Sequence, residues 1–200
     1  MLVKRLASPA YNKHIMIVSK TRTKLPDSNE IFPVFSTILF FVFTWTLYVI
    51  IFYLSSWLKD LTAWDILTTS AYLLYFALFE SILLLCIPVL LSAALPHRFF
   101  KEQFIPQGFS LIVLASLAAY LIHPRLDELV NLELSKFGLL LLSALVVTVA
   151  LTISLSIVFN QLPRLNQAVT ALAERMTIFA YIYLPLGFLS LFVVVIKILF

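Results

Sequence analysis

The sequence predicts an all-α membrane protein, a polytopic bundle of about five transmembrane helices. Of its 200 residues, 62% are hydrophobic and only 12% are charged. A soluble domain has about 45–50% apolar and about 25% charged residues, so lipid is the solvent that suits this chain. The apolar residues form long continuous runs, whereas strands of a barrel would alternate. In lipid, a helix satisfies its own backbone hydrogen bonds.

The helices follow from the positions of these runs, because a spanning helix needs about 20 mostly apolar residues. Five runs qualify, at residues 31–57, 66–95, 104–122, 137–159 and 176–200. The third is the weakest, since its purely apolar part is short, and a re-entrant third segment would invert everything after it. Residues 1–30 are predicted to form a basic, partly disordered cytoplasmic arm, and residues 31–200 the transmembrane domain.

Two connections between the runs look helical themselves. Residues 124–128 place a proline at a helix start and two acids in its first turn, which suits the helix dipole. Residues 162–176 carry apolar side chains at helical spacing with polar side chains on the other faces. One interpretation is that this segment extends the last helix towards the cytosol. The other is an amphipathic docking surface for a partner.

Basic residues predict the orientation, because cytoplasmic flanks are enriched in Lys and Arg. With five spans and the N-terminus inside, ten basic residues lie on the inner side and three on the outer side. Tyr53, Trp57 and Trp64 surround the first turn, as an interfacial aromatic belt would. The basic arm is short and adjoins a membrane domain, so we expect no nucleic-acid partner. The lack of a legible organelle signal favours a bacterial plasma membrane.

Glu80 is the most informative single residue, because an ionisable group near the middle of a span is a functional candidate by default. We expect it to hydrogen-bond a hydroxyl or a carbonyl within the bundle. Pro88 frees the carbonyl of Leu84, one turn from Glu80, and Tyr181 and Tyr183 of the last span are candidate partners. Glu80, Pro88, Tyr181 and Tyr183 thus define a predicted intramembrane polar site. The other interpretation is an interhelical packing contact or a contact with another subunit.

The fourth run contains a stripe of small and weakly polar residues spaced four apart: Ala144, Thr148, Thr152 and Ser156. Such stripes let helices approach closely, so a packing role is favoured over the lining of a polar path. Ala115 and Ala119 of the third run are predicted to form a second, shorter packing patch.

The second loop contains His97, Arg98, Lys101 and Glu102. These groups could handle a phosphate headgroup, although a basic cytoplasmic loop with aromatic anchors is the simpler interpretation. Neither His97 nor His123 has a second histidine three or four residues away, so no helical metal pair is predicted. No cofactor and no metal are predicted, and the sequence lacks the common catalytic fingerprints.

Three functions remain open on these grounds. The first is a non-catalytic accessory or structural subunit of a membrane complex, whose partners are the lipid bilayer and other membrane subunits or further copies of itself. The second is a small transporter or channel subunit with Glu80 as a protonatable site. The third is a lipid-modifying enzyme that works through the second loop.

Overall fold

The computed structural model describes residues 26–94, 103–122 and 134–199, and within these ranges all regular structure is α-helical. The five helices are α1 (Ser28–Asp60), α2 (Ala63–Ala94), α3 (Phe104–Ile122), α4 (Leu134–Gln161) and α5 (Pro163–Leu199). All five are long and apolar enough to cross a membrane. This confirms the all-α prediction with five candidate spans. Even α3, the shortest, extends about 28 Å, close to the hydrocarbon thickness of a bilayer.

Local capping groups explain why α1 and α2 begin three residues before their apolar runs. The backbone N–H of Asp27 donates to the Glu30 carboxylate at 3.1 Å, which is half of a capping box. Thr62 caps α2, because its Oγ1 accepts a hydrogen bond from the Asp65 N–H at 3.3 Å. Polar capping residues at both positions therefore set the helix starts, whereas hydropathy sets only the spans.

The last helix is continuous over 37 residues, from Pro163 to Leu199. It includes the amphipathic segment from Pro163 onwards, so in the structure this segment extends the last helix and is not a separate surface helix. Leu162 alone separates α4 from α5, and Pro163 occupies the first helical position, where its fixed φ and missing N–H cost nothing.

Helices α1, α2 and α5 pack against one another in the centre of the bundle. Their shared core is apolar and contains Leu39, Phe43, Leu74, Ala77, Leu78 and Ala180. Aromatic rings also join α1 to α5. Phe43 stacks on Tyr183 with the ring centroids 5.0 Å apart, and the ring centroids of Phe40 and Phe179 are 4.6 Å apart.

Helix α3 joins this core through its N-terminal half, where all but one of residues 104–111 are buried. Phe104 packs with Val34 of α1 and with apolar residues of α2. The other half of α3 is exposed or half-buried, and Ala115 and Ala119 are among its exposed residues. The prediction of a close-packing patch at these two alanines is therefore wrong for the described bundle. Because alanine is apolar, hydropathy could not tell a lipid-facing position from a packed one.

Helix α4 lies at the edge of the bundle, where it packs mainly on α3 and to a smaller extent on α5. Most of its described side chains are exposed. Such exposure of apolar side chains is what a lipid-facing helix shows, because lipid solvates them.

The end of α5 and the start of α2 lie at the same end of the bundle. Lys197 Nζ is 3.9 Å from a carboxylate oxygen of Asp65, and both side chains are a little over 40% exposed. At this end Tyr53 stacks on Trp57 with the ring centroids 6.2 Å apart, and Trp64 is exposed. The charges and amphipathic rings are those expected at a membrane surface.

Three of the sequence predictions lie outside the described residues. They are most of the basic arm (residues 1–25), the second loop with His97, Arg98, Lys101 and Glu102, and the helical connection at residues 124–128 with the preceding His123.

Candidate functional site

Glu80 lies at the middle of α2 and faces out of the bundle. Its side chain is exposed, and so are those of Phe76 and Leu83, which lie one turn before and after it on the same face. The carboxyl group therefore sits on an apolar outer surface, at the depth where lipid chains would surround an isolated chain.

The outward position of Glu80 follows from the face of α2 that packs inward. Buried residues recur along α2 at intervals of three, four and seven: Ala71, Leu74, Leu78, Ser81, Pro88 and Ser92. This spacing keeps them on one side of a helix. Glu80 is two residues beyond Leu78, hence about 200° around the helix from it. The packing of α2 thus directs the carboxyl group away from α1 and α5.

Among the described residues, no cation lies next to Glu80. Lys197, the basic residue nearest the end of α5, pairs with Asp65. Asp65 precedes Glu80 by fifteen residues on the same helix, which corresponds to about 22 Å along the helix axis. Among the residues that the structure describes, Glu80 forms neither a hydrogen bond nor an ion pair.

The two tyrosines predicted as partners of Glu80 lie elsewhere. The Tyr183 hydroxyl is 3.4 Å from Thr44 Oγ1 of α1, and its ring stacks on Phe43. Tyr181 is 72% exposed, and its ring lies 6.3 Å from that of Phe32. Both tyrosines therefore serve the contact between α5 and α1 and do not join the carboxyl group.

Pro88 is also separated from Glu80. It is fully buried, on the side of α2 whose neighbours Leu85 and Val89 pack against Val34 and Phe104. The polar site predicted from Glu80, Pro88, Tyr181 and Tyr183 is therefore not assembled as one pocket. The backbone of α2 places the proline inside and the acid outside.

Where the structure describes it, the stripe on α4 is buried or half-buried. Thr148 is 8% and Thr152 1% exposed, Ala144 is half-buried, and the side chain of Ser156 lies outside the described residues. Each threonine hydroxyl donates to a carbonyl of its own helix: Thr148 to Ala144 and Thr152 to Thr148, both at 2.8 Å. The hydroxyls are thus satisfied within α4 and line no polar path among the described residues.

A seam on α5 was missed from the sequence. Ala173, Ala180, Gly187 and Val194 are all buried and are spaced seven apart. At Gly187 an added Cβ would lie 3.1 Å from Leu78 Cδ2 and 3.2 Å from Phe43 Cζ. Small residues at this spacing let α1 and α2 approach α5 closely. A search for small residues at a seven-residue period would have found this seam.

No group of three or more His, Cys, Asp or Glu side chains that could hold a metal ion is present in the described ranges. Comparison with family models, with curated proteins and with solved structures finds no match to this chain.

Proposed function

We propose that this chain is a non-catalytic accessory or structural subunit of a membrane complex, and that the outer face of α2 around Glu80 meets another subunit. The observation that carries the proposal is the outward position of the Glu80 carboxyl group, to which the described part of the chain supplies no polar partner. An ionisable residue at the middle of a span costs about 2.5–3.5 kcal/mol on insertion scales. A neighbouring chain that supplies a polar partner would offset this cost.

The rest of the chain supports a structural role. Its five helices are long and apolar enough to cross a membrane, which suits a chain that makes its contacts within the bilayer. The buried hydroxyls of Ser36, Thr37, Ser81, Ser110 and Ser190 each donate to a carbonyl of their own helix. Each of these hydroxyls is buried and hydrogen-bonded within its own helix, so none of them is accessible to a substrate.

A transporter role for Glu80 is less well supported by this geometry. A protonatable site would need to face a pathway, and the carboxyl group faces away from the packed core of α1, α2 and α5. A pathway that used Glu80 would have to run between this chain and another one.

We also propose that the N-terminal arm lies in the cytoplasm of a bacterial cell, with the Asp65 end of the bundle at the outer surface. The excess of basic residues on the inner segments supports this orientation.

The experiment is purification of the tagged chain in a mild detergent from its native membrane. We expect a second protein in stoichiometric amount, and we expect Glu80→Leu to lose it. The matched control is Phe188→Leu, which changes an exposed side chain of α5 and should retain the partner. A monomeric wild-type chain, or a complex that survives Glu80→Leu unchanged, would overturn the proposal.

A further inference from the structure

We infer that the occupant of the Glu80 face is a transmembrane helix of a different protein that carries a Lys or Arg at the depth of Glu80. This inference rests on the proposed function and names the class of partner.

The face presents one acid and no base. Along α2 the exposed or half-buried residues Phe76, Glu80, Leu83, Ile87 and Leu90 follow one another at intervals of four and three. Glu80 is the single ionisable group among them. A complementary surface would therefore be apolar with one basic group, because an opposite charge is what best offsets a carboxylate outside water.

A second copy of this chain cannot supply that base. In the sequence, the predicted spans contain no Lys or Arg except Lys197. In the structure Lys197 pairs with Asp65, about 22 Å along the bundle from Glu80. Two copies related by an axis along the membrane normal would instead bring the two acids to the same depth. Two carboxyl groups at one depth would not offset each other's cost in lipid, whereas a base would.

The shape of the face suits one more helix. Intervals of four and three residues repeat every seven, which is the spacing of a seam between two helices that cross at about 20°. From Phe76 to Leu90 this seam, the outer seam of α2, extends about 21 Å. This is long enough to contact a partner helix through most of the hydrocarbon core.

The experiment is photo-crosslinking in the native membrane with sequencing of the crosslinked peptide. Phe76 and Leu83 are replaced, one at a time, by p-benzoylphenylalanine, and Phe188 of α5 is the control position. We expect both α2 positions, and not position 188, to crosslink to one apolar segment of another protein. That segment should contain a Lys or Arg within one turn of the crosslink.

Charge exchange then tests the ion pair itself. Glu80→Lys should lower the yield of the purified complex by roughly a hundredfold. Changing the identified base of the partner to Glu in the same cells should restore most of the yield. Glu80→Gln should lower the yield with no change in the thermal unfolding of the isolated chain, which separates loss of the partner from misfolding.

Results that would overturn the inference differ from those that would remove the proposed function. Crosslinks to a second copy, to a segment without a base, or at position 188 alone would overturn the inference, as would a failure of the exchange to restore the complex. In each of these cases the wild-type chain still binds another subunit, so the proposed function stands. A chain that purifies alone and crosslinks to no protein would instead remove the proposed function.

Discussion

Gly108 brings the backbone of α3 against a side chain of α1. A Cβ added at Gly108 would lie 2.8 Å from Cγ2 and 2.9 Å from Cγ1 of Val34. Valine has one preferred rotamer in a helix and cannot turn away, so α1 and α3 would have to separate. We expect Gly108→Ala to destabilise the fold by about 1–3 kcal/mol, measured by thermal unfolding in detergent.

Gly138→Ala is the matched control for this substitution. Gly138 also lies in a helix, but a Cβ added there meets no atom within 4 Å. Alanine favours a helix over glycine by up to about 1 kcal/mol, so the control should unfold at an equal or higher temperature. Equal losses at both positions would show that close approach is not what Gly108 provides.

At the scale of the element, substitutions at the buried threonines of α4 can distinguish a packing role of these side chains from the lining of a polar path. Thr152 is buried and donates within its own helix. Thr152→Val keeps the shape of the side chain and removes a hydroxyl whose hydrogen bond lies within its own helix, so we expect the stability of the fold to change by less than about 1 kcal/mol. Thr152→Leu should cost about 1–3 kcal/mol, because it overfills a packed position.

Ser154 is the matched control on the same helix. Its hydroxyl also donates one turn back, to the Ala150 carbonyl at 2.9 Å, but the side chain is exposed. Ser154→Leu should leave the unfolding temperature in detergent unchanged or raise it. If Thr152→Val were as damaging as Thr152→Leu, the hydroxyl would have a role beyond packing.

Helix positions could be predicted from the sequence because lipid thickness and hydropathy together set the length of a span. The ends were less accurate where polar groups cap a helix, as at Asp27 and Thr62. The predicted last span begins at residue 176, thirteen residues after the start of α5, and the extension of this helix over the preceding segment was one of two interpretations. Its first turns are amphipathic, and a hydropathy threshold excludes them although Pro163 starts the helix.

The orientation of each helix about its own axis could not be predicted in the same way. Glu80 was identified as the outstanding polar residue, but α2 is apolar on every face and hydropathy does not say which face packs. In lipid the packed face is chosen by size and shape. The small residues of the α5 seam, Gly187 above all, leave room for Leu78 of α2 to pack inward. Glu80 then lies on the opposite, outward side of α2.

At the scale of the whole molecule, the proposed five crossings would place the two short turns of the bundle on opposite sides of the membrane. The turn between α1 and α2 contains Leu61, and the turn between α4 and α5 contains Leu162. Both leucines are exposed, so a cysteine at either position should react with a maleimide from the side that the turn faces. The single natural cysteine, Cys86, is first removed by Cys86→Ala.

We expect Leu61→Cys to be labelled by an impermeant maleimide in intact cells and Leu162→Cys only after the membrane is opened. The physical reason is the basic residues near Leu162, Arg164 and Arg175, which favour the cytoplasmic side. The reverse pattern would invert the proposed orientation and leave five crossings intact. Labelling of both cysteines from one side would contradict the number of crossings, since α2, α3 and α4 together must carry the chain across an odd number of times.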